Sequence, residues 1–166
     1  MLTTPHLIPL NAGKKLWISP HPHPSQAQWK TWQDLNITAL RCLLTPPERQ
    51  RLNLQNWYAD IASQQCELRY YPILDFATPA LPDALPEIAR DAKSVSAGTG
   101  LMVHCNAGIG RSGIWCCVLL MYLGWSAEAA VDDVSTARGK PVPETPAQRD
   151  WIIQAQNQLT PIASRP

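Results

Sequence analysis

The sequence predicts an α/β fold in three layers, with a mainly parallel central sheet and helices on both faces. Three observations lead there. Short apolar runs of strand length alternate along the chain with segments whose apolar residues recur at helical spacing. One such helix is apolar nearly all round, so it must be covered from every side. The chain has 166 residues, 45% of them hydrophobic, which suits a single domain over 1–166 built on one core.

The elements follow in order. Residues 15–19 (KLWIS) read as a first strand, ended by the proline-broken His21-Pro22-His23-Pro24. Ser25 is a helix cap, and the helix runs to about Leu35 with Trp29 and Trp32 as apolar surface. Residues 37–44 form a short apolar strand that Pro46-Pro47 end. A helix over 54–65 carries Trp57, Ile61 and Ala62 at helical spacing. Residues 68–74 are the next strand, closed by a loop over 75–79. The segment 83–96 is mostly helix, with Leu85, Ile88, Ala89 and Ala92 on one face. Residues 100–104 are a strand, and 113–123 are the all-round apolar helix, which should be central. Helices over 127–137 and 145–159 finish the chain.

Bulk properties exclude several classes. A formal net charge of +1 and 16% charged residues give no field that would select nucleic acid or an anionic membrane. The N-terminus lacks the basic-then-apolar build of a signal peptide, and the longest nearly uncharged run, 114–125, is too short to span a bilayer. Sixteen prolines imply stiff, short connections rather than disorder. The five cysteines are an odd number, and their spacing matches no disulfide framework or zinc site. A reducing cytoplasm is the expected location. His21 and His23 lack a third partner for a metal, so no metal is expected.

The chemistry concentrates in Val103-His104-Cys105-Asn106-Ala107-Gly108-Ile109-Gly110-Arg111-Ser112-Gly113. A cysteine ends a strand, five residues with two glycines follow, and an arginine opens a helix. Glycines let the backbone turn tightly with its N–H groups inward, forming an anion cradle over Asn106, Ala107, Gly108, Ile109 and Gly110. The helix adds its positive end, and Arg111 supplies a planar fork for two phosphate oxygens. Such surroundings favour the thiolate, making Cys105 a nucleophile. Ser112 is placed to donate a hydrogen bond to that sulfur. A glycine-rich turn around a buried cysteine is the plain alternative for a lone Cys-x5-Arg. The whole string after an apolar strand favours the cradle.

At these residues the chain resembles the protein tyrosine phosphatase superfamily, whose signature is His-Cys-x5-Arg-Ser/Thr. The layout around 37–48, 71–79 and 145–152 is similar to the dual-specificity branch, and within it to the kinase-associated phosphatases. The resemblance implies a phosphatase-like sandwich and hydrolysis of phosphotyrosine, with phosphoserine and phosphothreonine as further substrates, through a phosphocysteine. It implies a phosphoprotein partner, no cofactor and no metal. It also implies that Asp75, in Leu74-Asp75-Phe76-Ala77-Thr78-Pro79, is the general acid on a mobile loop, although aspartate at a strand end is also a turn former. His104 is expected to orient Cys105 from behind. In Glu144-Thr145-Pro146-Ala147-Gln148, the family pattern places glutamine where Glu144 stands, so either Glu144 or Gln148 orients the hydrolytic water. The expected arrangement turns Glu144 outward toward Lys140 or Arg149 and leaves the water to Gln148. Thr145 and Pro146 independently read as a helix start. A monomer is expected. The alternatives are a phosphoprotein-binding module without turnover and an arsenate reductase or sulfurtransferase.

Overall fold

The computed structural model describes residues 1–164, so the last two positions of the expected 1–166 domain lie outside the described residues. Five strands form one sheet: β1 (His6–Ile8), β2 (Leu16–Ser19), β3 (Ala39–Cys42), β4 (Glu67–Tyr70) and β5 (Leu101–His104), in the order β1-β2-β5-β3-β4. All neighbours run parallel except β1, which pairs antiparallel with β2. Seven helices complete the described residues: α1 (Gln26–Asp34), α2 (Pro46–Arg51), α3 (Leu54–Ala62), α4 (Leu81–Ser96), α5 (Arg111–Tyr122), α6 (Ala127–Arg138) and α7 (Pro146–Gln156).

The three layers follow from the two-residue period of the strands. Leu16, Ile18, Ala39, Leu101 and Val103 face a core completed by α4, α5, α6 and α7. Trp17, Leu40, Cys42 and Met102 face the other way, onto Trp29 and Trp32 of α1 and Trp57, Tyr58 and Ile61 of α3. Every residue of α5 is buried, as expected of the helix that is apolar all round. It packs against α4, α6 and α7.

Three elements differ from expectation, the first being the strand read over 68–74, which spans only Glu67–Tyr70. Pro46-Pro47 do not merely end β3; they occupy the first turn of α2, where a missing N–H costs nothing. Glu48 Oε2 accepts from Thr45 N at 2.9 Å, fixing that start. The strand β1 lies between Pro5 and Pro9, too short to show periodicity. Among the described residues no helix is long and apolar enough to cross a membrane.

Candidate active site

β5 delivers Cys105 and α5 begins at Arg111, so the loop between them lies at the carboxyl end of the sheet. This is where open parallel sheets build their binding crevices. Gly108 has φ +69°, and a Cβ there would lie 2.5 Å from the backbone of Ser19 and Pro20. Only glycine fits both the left-handed turn and the close approach. Its N–H points at Cys105 Sγ, 3.3 Å away. The bond expected from Ser112 to the sulfur is not made. Ser112 Oγ is buried with no hydrogen-bond partner, and the turned-in Gly108 N–H meets the sulfur instead.

Arg111 is almost fully buried, and its donors can be counted. Nη1 donates to Glu48 Oε2 at 2.9 Å and to Ile73 O at 2.8 Å, and Nη2 donates to Glu48 Oε1 at 2.9 Å. Nη2 also lies 3.1 Å from Asp75 Oδ1. Nε is buried and free of protein partners, so that edge of the fork remains for an oxyanion. Burial works to raise the Glu48 carboxyl, but hydrogen bonds from Arg111 and Thr45 overcome it and hold the group at about 2. Glu48 is therefore a permanent anion that aims the guanidinium. Sequence reasoning missed it, although Thr45-Pro46-Pro47-Glu48 carries a readable capping-box pattern.

His104 is fully buried behind the nucleophile. Its Nε2 meets Tyr58 Oη, and its Nδ1 lies 3.2 Å from Cys105 O. Burial, with help from the nearby Arg111 charge, lowers its pKa to about 4, so the ring is neutral at physiological pH. A neutral ring here carries its proton on Nδ1, donates to Cys105 O and accepts from Tyr58. It braces the nucleophile's backbone. The remaining thiols are kept protonated: burial raises Cys42, Cys116 and Cys117, and pushes Cys66 up to about 12. All five cysteines are free.

Asp75 is half exposed at the loop mouth, paired with Arg111 and accepting from Phe76 N at 3.1 Å. Phe76 adopts φ +62°, an uncommon conformation for a bulky residue. Glu144 and Gln148 depart from the expected arrangement. Gln148 Oε1 accepts from Glu144 N at 3.1 Å and Thr145 N at 3.2 Å, while Thr145 Oγ1 accepts from Gln148 N at 3.1 Å. The amide head is thus committed to capping α7 and is fully buried. Glu144 does not turn outward. A Cβ on Gly110 would lie 3.2 Å from Glu144 Oε2, so the carboxylate stands over the loop. Burial and the facing Asp75 raise its pKa. The reason is the cap, which ties the Glu144 backbone to Gln148 beside the cradle.

Two further residues hold the loop from outside: Arg138, which sequence reasoning did not single out, and His21, which it considered only as a metal ligand. Arg138 donates from Nε to Gly108 O and from Nη2 to Ala107 O, both at 3.0 Å. His21 N donates to Asn106 O at 2.9 Å.

Residues 19–127 match the family described as Tc-R-P, a polymorphic toxin system DSP-PTPase phosphatase. None of the curated proteins matches the chain significantly by sequence. Among solved structures, a kinase associated phosphatase with its catalytic-site cysteine changed to serine superposes with a TM-score of 0.85 at 19% identity, covering 96% of this chain and 97% of that one. Tk-PTP in its active form gives 0.73 at 22% identity, covering 93% and 98%. PTPMT1 gives 0.76 at 18%, covering 93% and 95%. The family match spans most of the chain, and the chain belongs to the DSP-PTPase phosphatase family of the dual-specificity protein tyrosine phosphatase superfamily.

Proposed function

We propose that the chain is a protein phosphatase that hydrolyses phosphotyrosine, and secondarily phosphoserine and phosphothreonine, through a phosphocysteine on Cys105. The observation that carries this reading is the convergence on one loop of the Cys105 sulfur, the Gly108 N–H and a guanidinium aimed by Glu48. An incoming phosphoryl group takes the free Arg111 Nε and competes with Asp75 for Nη2. Asp75 then moves off the arginine toward the leaving oxygen, exchanging its guanidinium partner for a proton taken from solvent. The sulfur forms a bond to phosphorus, the ester P–O bond breaks, and Asp75 gives its proton to the departing oxygen. Water next attacks phosphorus, the S–P bond breaks, and Asp75 takes the water's proton. The loop amides and Arg111 stabilise the charge spread over the equatorial oxygens in both steps.

The substrate class follows from the charge at the mouth. Among the variable loop positions none is cationic, and Asp75 and Glu144 add negative charge. A polyphosphorylated lipid would meet repulsion there, whereas the neutral ring of phosphotyrosine would not. The reading extends to a reducing, cytoplasmic setting, which keeps the five thiols free, and to a monomer acting on phosphoproteins.

Cys105→Ser tests it. The variant should bind vanadate or phosphopeptide, because the cradle and Arg111 remain, while turnover of a phosphotyrosine peptide disappears. Appreciable turnover by the serine variant would remove the covalent route. Wild-type protein that binds the peptide without hydrolysing it would make the chain a phosphoprotein-binding module.

A further inference from the structure

The structure assigns to Arg138, braced by the N-terminal segment, the role of setting the direction of the loop's amides and hence its affinity for oxyanions. This rests on the reading of the loop as a phosphate cradle.

Three successive carbonyls of the loop, those of Asn106, Ala107 and Gly108, are held from outside by His21 N, Arg138 Nη2 and Arg138 Nε. In a trans peptide the C=O and the following N–H point in opposite directions. Holding those three oxygens outward therefore turns the N–H groups of Ala107, Gly108 and Ile109 inward. The middle one is seen doing so, since Gly108 N–H points at Cys105 Sγ. Left alone, a loop of small and flexible residues would sample peptide flips that replace a donor with a carbonyl and repel an anion.

Both outer donors lead back to the first residues of the chain. Thr3 Oγ1 donates to His21 O at 3.0 Å, and Thr3 is itself fastened to Gln28, whose Oε1 accepts from Thr3 N at 2.7 Å and whose Nε2 donates to Thr3 O at 2.9 Å. His6, in β1, places Nε2 3.3 Å from Arg138 Nη1. Burial and the Arg138 charge lower the His6 pKa, which keeps its Nε2 available as an acceptor. The N-terminal segment is thus a strap across the back of the catalytic loop. Arg138 is a positioning residue, since it faces the carbonyls and not the phosphoryl group.

The test measures tungstate affinity by calorimetry on the full chain, together with kcat and KM and the melting temperature. Arg138→Met removes two charge-assisted bonds and should weaken tungstate binding roughly 10- to 100-fold, the range carried by outer partners of metal ligands. Arg138→Lys keeps the charge but cannot bridge both carbonyls, and should recover only part of the loss. His6→Ala removes a single, longer brace on Arg138 Nη1 and should cost roughly three- to tenfold. Val134→Ala, which trims the buried core face of the same helix, should lower the melting temperature and leave tungstate affinity unchanged. The assignment is overturned if Arg138→Met binds tungstate like wild type, if Arg138→Lys restores affinity completely, or if Val134→Ala weakens binding as much as Arg138→Met. Wild-type protein that fails to bind tungstate would instead bring down the cradle reading, and the strap with it.

Discussion

Glu48 and Glu144 are two carboxylates at the same site with opposite consequences. Glu48 is held ionised by two guanidinium contacts and leaves Arg111 with no freedom to swing away. Glu48→Gln keeps the shape but loses the charge, leaving a buried arginine half-satisfied. The expected outcome is a fall in kcat/KM of roughly tenfold or more for phosphotyrosine peptides, seen in kcat as well as KM because the fork must be placed in the transition state. Unchanged kinetics would mean that Ile73 O alone fixes Arg111. Glu144 stands over Gly110 with no ionic partner among the described residues, and its raised pKa reflects burial and the facing Asp75. Removing its charge should therefore help an anion to enter. Glu144→Gln is expected to tighten vanadate inhibition several-fold and to leave kcat within a few-fold. A trapped phosphoenzyme in that variant would show that Glu144 activates the hydrolytic water.

At the scale of elements, the strand–loop–helix carrying Cys105 was legible because everything it needs is local: an apolar strand, two glycines and an arginine opening a buried helix. Gln148 has a second duty that its expected role left out. Thr145-x-x-Gln148 is a capping box, and Gln148 Oε1 already accepts from the Glu144 and Thr145 N–H groups. Gln148→Ala should accordingly cost about 1 kcal/mol of stability in urea titrations. It should also raise mobility of the Asp75 loop, since Gln148 Nε2 reaches Ala77 O at 3.4 Å. A phosphoenzyme burst without loss of stability would return Gln148 to the role of water holder. Glu48 was readable as a helix start and unreadable as the partner of Arg111, because the two are 63 positions apart and meet only once β3 and β5 pair. His6 and Arg138 join across a still longer separation, through a strand of three residues that has no visible period.

Across the whole molecule, the buried groups around the loop dictate how stability changes with pH. His104 is neutral in the folded state down to about pH 4, whereas an unfolded histidine takes up its proton near 6.5. Between those values the unfolded chain binds more protons, so stability must fall as pH drops from about 6.5 toward 4, by something on the order of 3 kcal/mol. His6, also lowered by burial and Arg138, acts in the same direction. Glu48 extends the loss. Its folded pKa of about 2 lies below the unfolded value of 4.5, so its contribution is complete above 4.5 and drains away as pH falls toward 2. Urea denaturation at steps between pH 7.5 and 3.5 should thus show a steady decline beginning near 6.5 and continuing below 4.5. His104→Gln removes the first and larger part of that slope, though it costs stability at neutral pH, because it replaces the ring that accepts from Tyr58 and donates to Cys105 O. Glu48→Gln should flatten only the part below 4.5. Were wild-type stability level between pH 6.5 and 4.5, His104 would have to be charged in the folded protein, and its place as a neutral brace behind Cys105 would be lost.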